Sequence, residues 1–142
     1  MKTSNFRLLT LFSALALFTM TFSSCSDDDG PGVNITVNEG PNGDIGGDFT
    51  GSGGSGSRTI AWNNGLATAD YNADITATAT GEFQMEVRDA NGNIVLDRTL
   101  TGNSEPDSID GVTSSGTPGE WTVTINLTNF NGDGSYSLSE GD

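Results

Sequence analysis

From Arg58 to the end of the chain, apolar and polar residues alternate in short runs that are separated by turn residues. In residues 121–128, Trp121, Val123, Ile125 and Leu127 alternate with polar side chains. A period of two with one apolar face is typical of antiparallel strands that bury one side. The same pattern occurs in residues 59–62, 73–80, 82–88 and 135–139. The sequence therefore predicts an all-β domain over residues 58–142, a small antiparallel β-sandwich of Greek-key or jelly-roll type with about seven to eight strands.

Turn residues and the position of one aromatic residue add detail to this prediction. Asn91-Gly92 tolerates positive φ, so residues 89–93 are expected to close a tight hairpin. Trp121 lies in register with the apolar residues of its run, and we expect it in the core. No amphipathic helical pattern follows Cys25.

Residues 25–57 have a different composition, poor in apolar side chains and rich in Gly, Asp, Asn and Ser. Residues 51–57 contain only Gly and Ser, which is the composition of a flexible coil. This predicts a flexible, acidic and Gly-rich tether over residues 25–57. Val33, Ile35 and Val37 alternate with polar residues, so one short strand at residues 33–38 is possible within it.

The first 24 residues have the pattern of an export signal. Lys2 and Arg7 provide a positive amino-terminal region, and residues 8–22 follow without any charge. A transmembrane helix needs about 20 apolar residues, so a segment this short favours a cleaved signal peptide. We therefore expect residues 1–24 to be removed.

The end of this segment resembles the lipobox of bacterial lipoproteins. Phe22-Ser23-Ser24-Cys25 places two small residues before the only cysteine of the chain, although that family usually has Leu where Phe22 stands. The resemblance implies cleavage before Cys25 and lipidation of its thiol and its new amino terminus.

The residues that follow Cys25 refine the expected location. Ser26-Asp27-Asp28-Asp29 resembles the export signal of Bacteroidota lipoproteins, which implies an anchored protein on the outer face of the outer membrane. The alternative is that this acidic run serves only as a solvated tether, since like charges repel one another.

Three segments of the domain resemble the small β-sandwich accessory modules typified by bacterial pre-peptidase C-terminal domains. These segments are the 89–93 hairpin, the strand that contains Trp121-Thr122-Val123, and Gly134-Ser135-Tyr136-Ser137-Leu138. The resemblance implies a β-sandwich with an accessory role and carries no site residue with it.

Charge and composition exclude several functional classes. After cleavage before Cys25 the chain would keep three basic residues, Arg58, Arg88 and Arg98, against all 19 acidic ones. Such an excess of negative charge argues against nucleic acid as a partner. Histidine is absent, which excludes Ser-His and Cys-His nucleophile systems, and we expect no enzyme activity.

Residues 129–134 nearly match a calcium-binding loop. Asn129, Asn131 and Asp133 would provide oxygen ligands, and Gly132 and Gly134 would allow a sharp turn. The flanking residues alternate as strands, whereas the EF-hand requires helices. A plain hairpin turn between the last two strands is therefore the preferred interpretation. We expect no metal site and no cofactor, with a weak calcium site as the alternative.

Two aromatic residues are candidates for sugar binding, and one serine is a candidate for glycosylation. Trp62 precedes Asn63-Asn64-Gly65. The rings of Trp62 and Tyr71 could be exposed and stack on a glycan. Asp107-Ser108-Ile109 resembles the short O-glycosylation motif of Bacteroidota and indicates an exposed loop around Ser108.

The sequence alone thus favours a non-catalytic outer-membrane surface lipoprotein with a binding, adhesive or accessory role. Two alternatives remain, a carbohydrate-binding module and a structural subunit of an outer-membrane complex. The expected partners are the membrane, through the lipid anchor, and an unidentified protein or glycan.

Overall fold

The computed structural model of the protein describes residues 31–142, which form eight β-strands in antiparallel pairs. The strands are β1 (Val33–Ile35), β2 (Asn38–Glu39), β3 (Ile45–Asn64), β4 (Ala69–Ala77), β5 (Glu82–Arg88), β6 (Ile94–Thr101), β7 (Ser108–Val112) and β8 (Gly119–Glu140). The predicted all-β class and the predicted number of strands are confirmed. Within residues 31–142, no helix has the length and apolar character needed to cross a membrane.

Two long strands, β3 and β8, form the central ribbon of the fold. Their pairing extends from Ile45 opposite Leu138 to Asn64 opposite Gly119. The register shifts twice between Ser52 and Gly56 of β3. Such irregularities bend a strand and increase its local twist, and they allow this ribbon to fold over on itself.

The other strands extend the two halves of this ribbon into two layers. In the first layer, residues 122–128 of β8 pair with β5, and β5 pairs with β6. In the second layer, residues 132–140 of β8 pair with β4, which pairs with β7. β1 and β2 add to the first half of β3 on the other side of this layer. The result is a β-sandwich whose two layers share their central strands.

Aromatic contacts hold the two layers face to face. Phe49 of the second layer stacks on Phe83 of the first, with ring centroids 4.6 Å apart and an interplanar angle of 13°. Phe130, at the bend of β8, meets Phe49 edge-on at 5.5 Å. All three side chains are fully buried, and Trp121 is fully buried with them, as its register predicts. Burial of this apolar surface is the main term that stabilises a sandwich with no disulfide.

The sandwich has two distinct ends, one at the bend of the ribbon and one at the opposite edge. The "corner end" consists of residues 51–56 of β3 and 129–132 of β8, where the ribbon folds. The "open end" consists of Glu39, residues 40–44 between β2 and β3, residues 62–65, and Glu140. The open end is closed across the layers by the indole of Trp62, whose Nε1 donates to the Gly43 carbonyl oxygen at 2.8 Å.

The predicted tether is wrong for residues 33–57, because this segment belongs to the sandwich. Residues 51–57 lie within β3 and pair with β8. The glycine at position 51 has a packing reason, since a Cβ there would lie 2.4 Å from the Phe130 carbonyl oxygen. The possible strand at residues 33–38 is present as β1 and β2, and Val33, Ile35 and Val37 pack on the core. The domain therefore begins near Val33 instead of Arg58.

The predicted hairpin turn at residues 129–134 is also wrong, because β8 runs through this segment without reversing. Asn129 adopts a positive φ of 47° and Gly132 one of 153°, which produce a bend in a continuous strand. Phe130 is turned into the core between them. The turn-forming residues that suggested a reversal instead allow β8 to pass from one layer to the other.

Candidate functional site

The two aromatic residues proposed from the sequence as sugar platforms are buried. Trp62 is 3% exposed and Tyr71 is 8% exposed, so neither ring offers a free face to a ligand. Trp62 lies opposite Trp121 across β3 and β8, with the rings edge-to-face. The expectation of exposed aromatic rings is therefore wrong at both positions, because each lies on the inward face of its strand.

Trp62 nevertheless forms part of the wall of a concavity of about 320 Å³ at the open end, which we name the open-end groove. The groove lies where residues 40–44 fold over the end of β3. Its polar side chains belong to Glu39, Asn42, Asn63 and Glu140. The groove thus combines carboxylates and amides beside an indole edge.

The loop that covers one side of the groove has a defined conformation. The Gly40 amide donates to the Asp44 carbonyl oxygen at 2.7 Å, and the Gly43 amide donates to the Gly40 carbonyl oxygen at 3.2 Å. Gly43 has a φ of 82°, a left-handed conformation that glycine adopts at little cost. The hydrogen bond from Trp62 Nε1 fixes this loop to β3. Hydrogen bonds within the protein therefore hold this side of the groove.

The opposite side of the groove is organised by two polar side chains. The Glu140 carboxylate accepts a hydrogen bond from the Gly65 amide, which ties the end of β8 to the loop after β3. Asn64 is fully buried, with Nδ2 donating to the Thr68 carbonyl oxygen and Oδ1 accepting from the Leu66 amide, both at 3.0 Å. Asn64 thus shapes the loop, whereas its neighbour Asn63 is exposed and free for a ligand.

Only part of this groove can be predicted from the sequence. Trp62 and the amides that follow it are candidate binding residues there, whereas Glu39 and Asn42 fall within the predicted tether. The alternation of Val33, Ile35 and Val37 was the one signal that this segment joins the domain. The pairing of β2 with the start of β3 brings Glu39 and Asn42 to the open end.

A second concavity, of about 350 Å³, lies on the other side of the 40–44 loop. Its acidic residues are Glu39, Asp44 and Asp48, and Gly46 and Ser135 provide a shallow floor. Over residues 31–142 no group of three or more His, Cys, Asp or Glu side chains is arranged to hold a metal ion. Two of its three acidic residues, Glu39 and Asp48, are exposed.

The candidate calcium ligands are not arranged as a binding loop. Asn129, Asn131 and Asp133 are exposed residues of the bent strand β8, and Asp133 pairs with Thr50 and Thr76. The Asn129 amide donates to Ser55 Oγ at 2.8 Å, which fixes the bend. The three side chains lie along a strand instead of around a turn.

The pKa of Asp89 is lowered, and the role of this carboxylate is structural. It accepts hydrogen bonds from the amides of Thr117, Asn91 and Asn93 at 2.8 to 3.0 Å. These bonds, led by that from Thr117, stabilise the charged form against the effect of burial and lower the pKa of Asp89 to about 2. Asp89 thereby closes the predicted 89–93 hairpin, which is confirmed, and ties it to the loop before β8.

Tyr136 has an altered pKa for a different reason. Burial raises the pKa of its phenol, which lies under β1 and donates to the Thr36 carbonyl oxygen at 2.7 Å. This contact joins the last strand to the first segment of the domain. It is a packing contact, and we assign it no chemical role.

Ser108, the candidate glycosylation site, begins β7 and is exposed. It follows an exposed loop that partly encloses a third concavity of about 370 Å³, lined by Asn103, Glu105 and Asp107. The expected exposure of the loop is confirmed, and glycosylation itself stays a prediction. Cys25 and the export residues Ser26, Asp27, Asp28 and Asp29 lie outside the described residues.

Comparisons with known proteins give a likeness of fold. No family model matches the chain, and no curated protein matches it. A solved CBM4 structure is 16% identical, with a TM-score of 0.38, over 81% of this chain and 96% of that one. BiXyn10A CBM1 in its apo form is 10% identical, with a TM-score of 0.44, over 80% of this chain and 94% of that one.

A third similar structure is a carbohydrate binding module from Cellvibrio mixtus lichenase 5A in complex with cellotriose. It is 9% identical, with a TM-score of 0.37, over 80% of this chain and 92% of that one. At these identities the likeness concerns the β-sandwich alone. The resemblance to pre-peptidase C-terminal modules stays a prediction.

Proposed function

We propose that this chain is a non-catalytic binding module for neutral glycans, displayed on the cell surface by a lipid on Cys25. The observation that carries the glycan part is the open-end groove. In it, the amides of Asn42 and Asn63 lie with the carboxylates of Glu39 and Glu140 around the edge of Trp62. Amides and carboxylates supply the donors and acceptors that sugar hydroxyls require.

The charge of the groove supports a neutral ligand. Its lining includes two carboxylates and no Lys or Arg side chain. Uronic acids, sialic acids and sulfated sugars would meet like charge there, and like charge disfavours binding. A neutral oligosaccharide is not repelled by these carboxylates, and its hydroxyl groups can donate hydrogen bonds to them.

Internal hydrogen bonds hold the groove in one conformation, which favours binding of a ligand. The hydrogen bond from Trp62 to Gly43 and that from Gly65 to Glu140 hold its two walls in place. A site that is already ordered avoids part of the entropic cost of binding. No step of bond breaking is assigned to Glu39 or Glu140, and Glu140 is engaged in holding a wall.

The test is an affinity measurement against immobilised neutral and uronate polysaccharides. We expect binding to at least one neutral polymer, and binding that is about tenfold weaker in the double variant Asn42→Ala, Asn63→Ala, since two hydrogen bonds are lost. Asn72→Ala is the matched control, because Asn72 is an exposed amide of β4 away from the groove. Absence of binding to every neutral polymer, or equal loss in the control, would contradict the proposal.

The lipid-anchored part of the proposal is supported by the signal sequence and is tested separately. Replacement of Asp27, Asp28 and Asp29 by Ala should move the protein from the outer face of the membrane to the periplasmic side. Added protease should then degrade the original protein on intact cells and spare the variant. Equal degradation of both would show that the acidic run does not direct export.

A further inference from the structure

The chain enters the sandwich at the corner end. The Gly32 amide donates to Ser52 Oγ at 3.1 Å, and the Ser52 amide donates to the Gly32 carbonyl oxygen at 2.9 Å. Val33 then pairs with Gly51, and the chain runs along β1 and β2 towards the open end. The segment that leads back to Cys25 is therefore attached to the edge of the domain farthest from the open-end groove.

The segment that joins Cys25 to the domain is short. Residues 25–32 are eight in number and can span at most about 28 Å when fully extended. Residues 132–140 of β8 run from the corner end to the open end, and nine residues of a strand span about 30 Å. The segment between the lipid and the domain is thus no longer than the domain itself.

The two ends also differ in charge. At the corner end the exposed side chains of Ser52, Ser55, Asn129 and Asn131 are polar and uncharged. At the open end Glu39 and Glu140 are exposed, and Asp44 lies beside them. Anionic lipid headgroups repel carboxylates, whereas they tolerate uncharged hydroxyls and amides.

We propose that the corner end faces the membrane and that the open-end groove points away from it. This orientation rests on the proposed lipidation of Cys25. The inverted orientation would require residues 25–32 to be stretched to their limit along the side of the domain, with loss of conformational entropy. It would also place the carboxylates of the groove against the headgroups. With the corner end down, the groove is presented to glycans in the medium.

The test uses the fact that Cys25 is the only cysteine of the chain. Once that thiol is acylated, an introduced cysteine is the one free thiol. Asn131→Cys at the corner end and Asn42→Cys at the open end are labelled with the same fluorophore in the purified lipoprotein. Each is reconstituted into vesicles with a nitroxide quencher on the headgroups. We expect roughly threefold stronger quenching of the corner probe, because the two sites differ in height by about the length of the strand.

Flotation of the vesicles separates the two possible failures. A protein that does not float with the vesicles lacks the anchor, which contradicts both the proposed lipidation and the orientation. A protein that floats but shows equal quenching at both positions, or stronger quenching at the open end, contradicts the orientation alone. Stronger quenching at the corner end supports it.

Discussion

Trp62 and Trp121 are direct partners across β3 and β8, with their ring centroids 6.0 Å apart and their planes at 88°. Each indole N–H donates a hydrogen bond of 2.8 Å to a carbonyl oxygen of a loop, Trp62 to Gly43 and Trp121 to Thr117. The pair therefore ties the central ribbon to a loop of the open end on one side and to the loop before β8 on the other.

The first prediction concerns the core member of this pair. Trp121→Ala should destabilise the protein by about 3–5 kcal/mol, since it removes a fully buried indole and leaves a cavity. The measurement is chemical denaturation. Thr122→Ala, in the outward register of the same strand, serves as the control and should change stability by about 0.5 kcal/mol or less. A loss below about 1 kcal/mol for Trp121→Ala would contradict the burial of the ring.

A second prediction tests the packing that brings the two layers together. A Cβ on Gly134 would lie 2.4 Å from the ring of Phe49 and 2.3 Å from the Asp74 carbonyl oxygen. Gly134→Ala should therefore cost about 1–3 kcal/mol, because the backbone or the ring must move. Ser137→Ala, at an exposed position of the same strand, is the control. Equal melting temperatures for the two variants would show that Phe49 does not pack over Gly134.

The strand content could be predicted from the sequence because each strand buries one face and exposes the other. The path of the chain from one layer to the other could not be predicted. The runs around Trp121 and Tyr136 look like two strands, since residues 129–134 have the composition of a reversal. In the structure β8 continues through these residues because it pairs with β3, whose glycine-rich residues 51–56 bend at the same place. That match between two distant segments cannot be seen in either one alone.

The open-end groove escaped prediction for the same reason. Asn63 was recognised as a polar neighbour of Trp62, but Glu39 and Asn42 come from a segment with the composition of a linker. Their position depends on β2 pairing with Ile45 and Gly46. A pairing of two residues leaves almost no pattern in the sequence.

The third prediction concerns the pH dependence of stability. The pKa of Asp89 is about 2 in the folded protein and is 3.8 for an ordinary aspartate. Because the folded pKa is the lower one, the stabilisation by the Asp89 carboxylate is complete above about pH 4 and is lost as the pH falls through about 2. Asp89→Asn should therefore melt below the original protein at pH 6, and the gap should shrink towards pH 2.

The control for this experiment is Asp97→Asn, which changes an exposed carboxylate of β6. Its melting temperature should follow that of the original protein across the same range. A gap between Asp89→Asn and the original protein that stays constant from pH 6 to pH 2 would show that the hydrogen bonds to the carboxylate do not favour its charged form.

The fourth prediction concerns the anchor. Cys25→Ala removes the thiol that lipidation requires, and the variant should leave the detergent phase in a two-phase partition. Several acyl chains are needed for stable anchoring, since one chain binds membranes only marginally. Ser24→Ala keeps the thiol and a small residue before it, and should partition as the original protein does. Retention of Cys25→Ala in the detergent phase would contradict the lipoprotein assignment.

The central claim is that the open-end groove binds a neutral glycan, and the two indole N–H groups test it most directly. The chain has two tryptophans, so a nitrogen–proton correlation spectrum shows two indole signals. Trp62 lies in the wall of the groove, whereas Trp121 is fully buried and bonded to Thr117. On titration with a neutral oligosaccharide, we expect the Trp62 indole signal to shift in a saturable manner while that of Trp121 stays in place. A saturable shift of the Trp121 signal alone, or no shift of either with every neutral sugar, would contradict the claim.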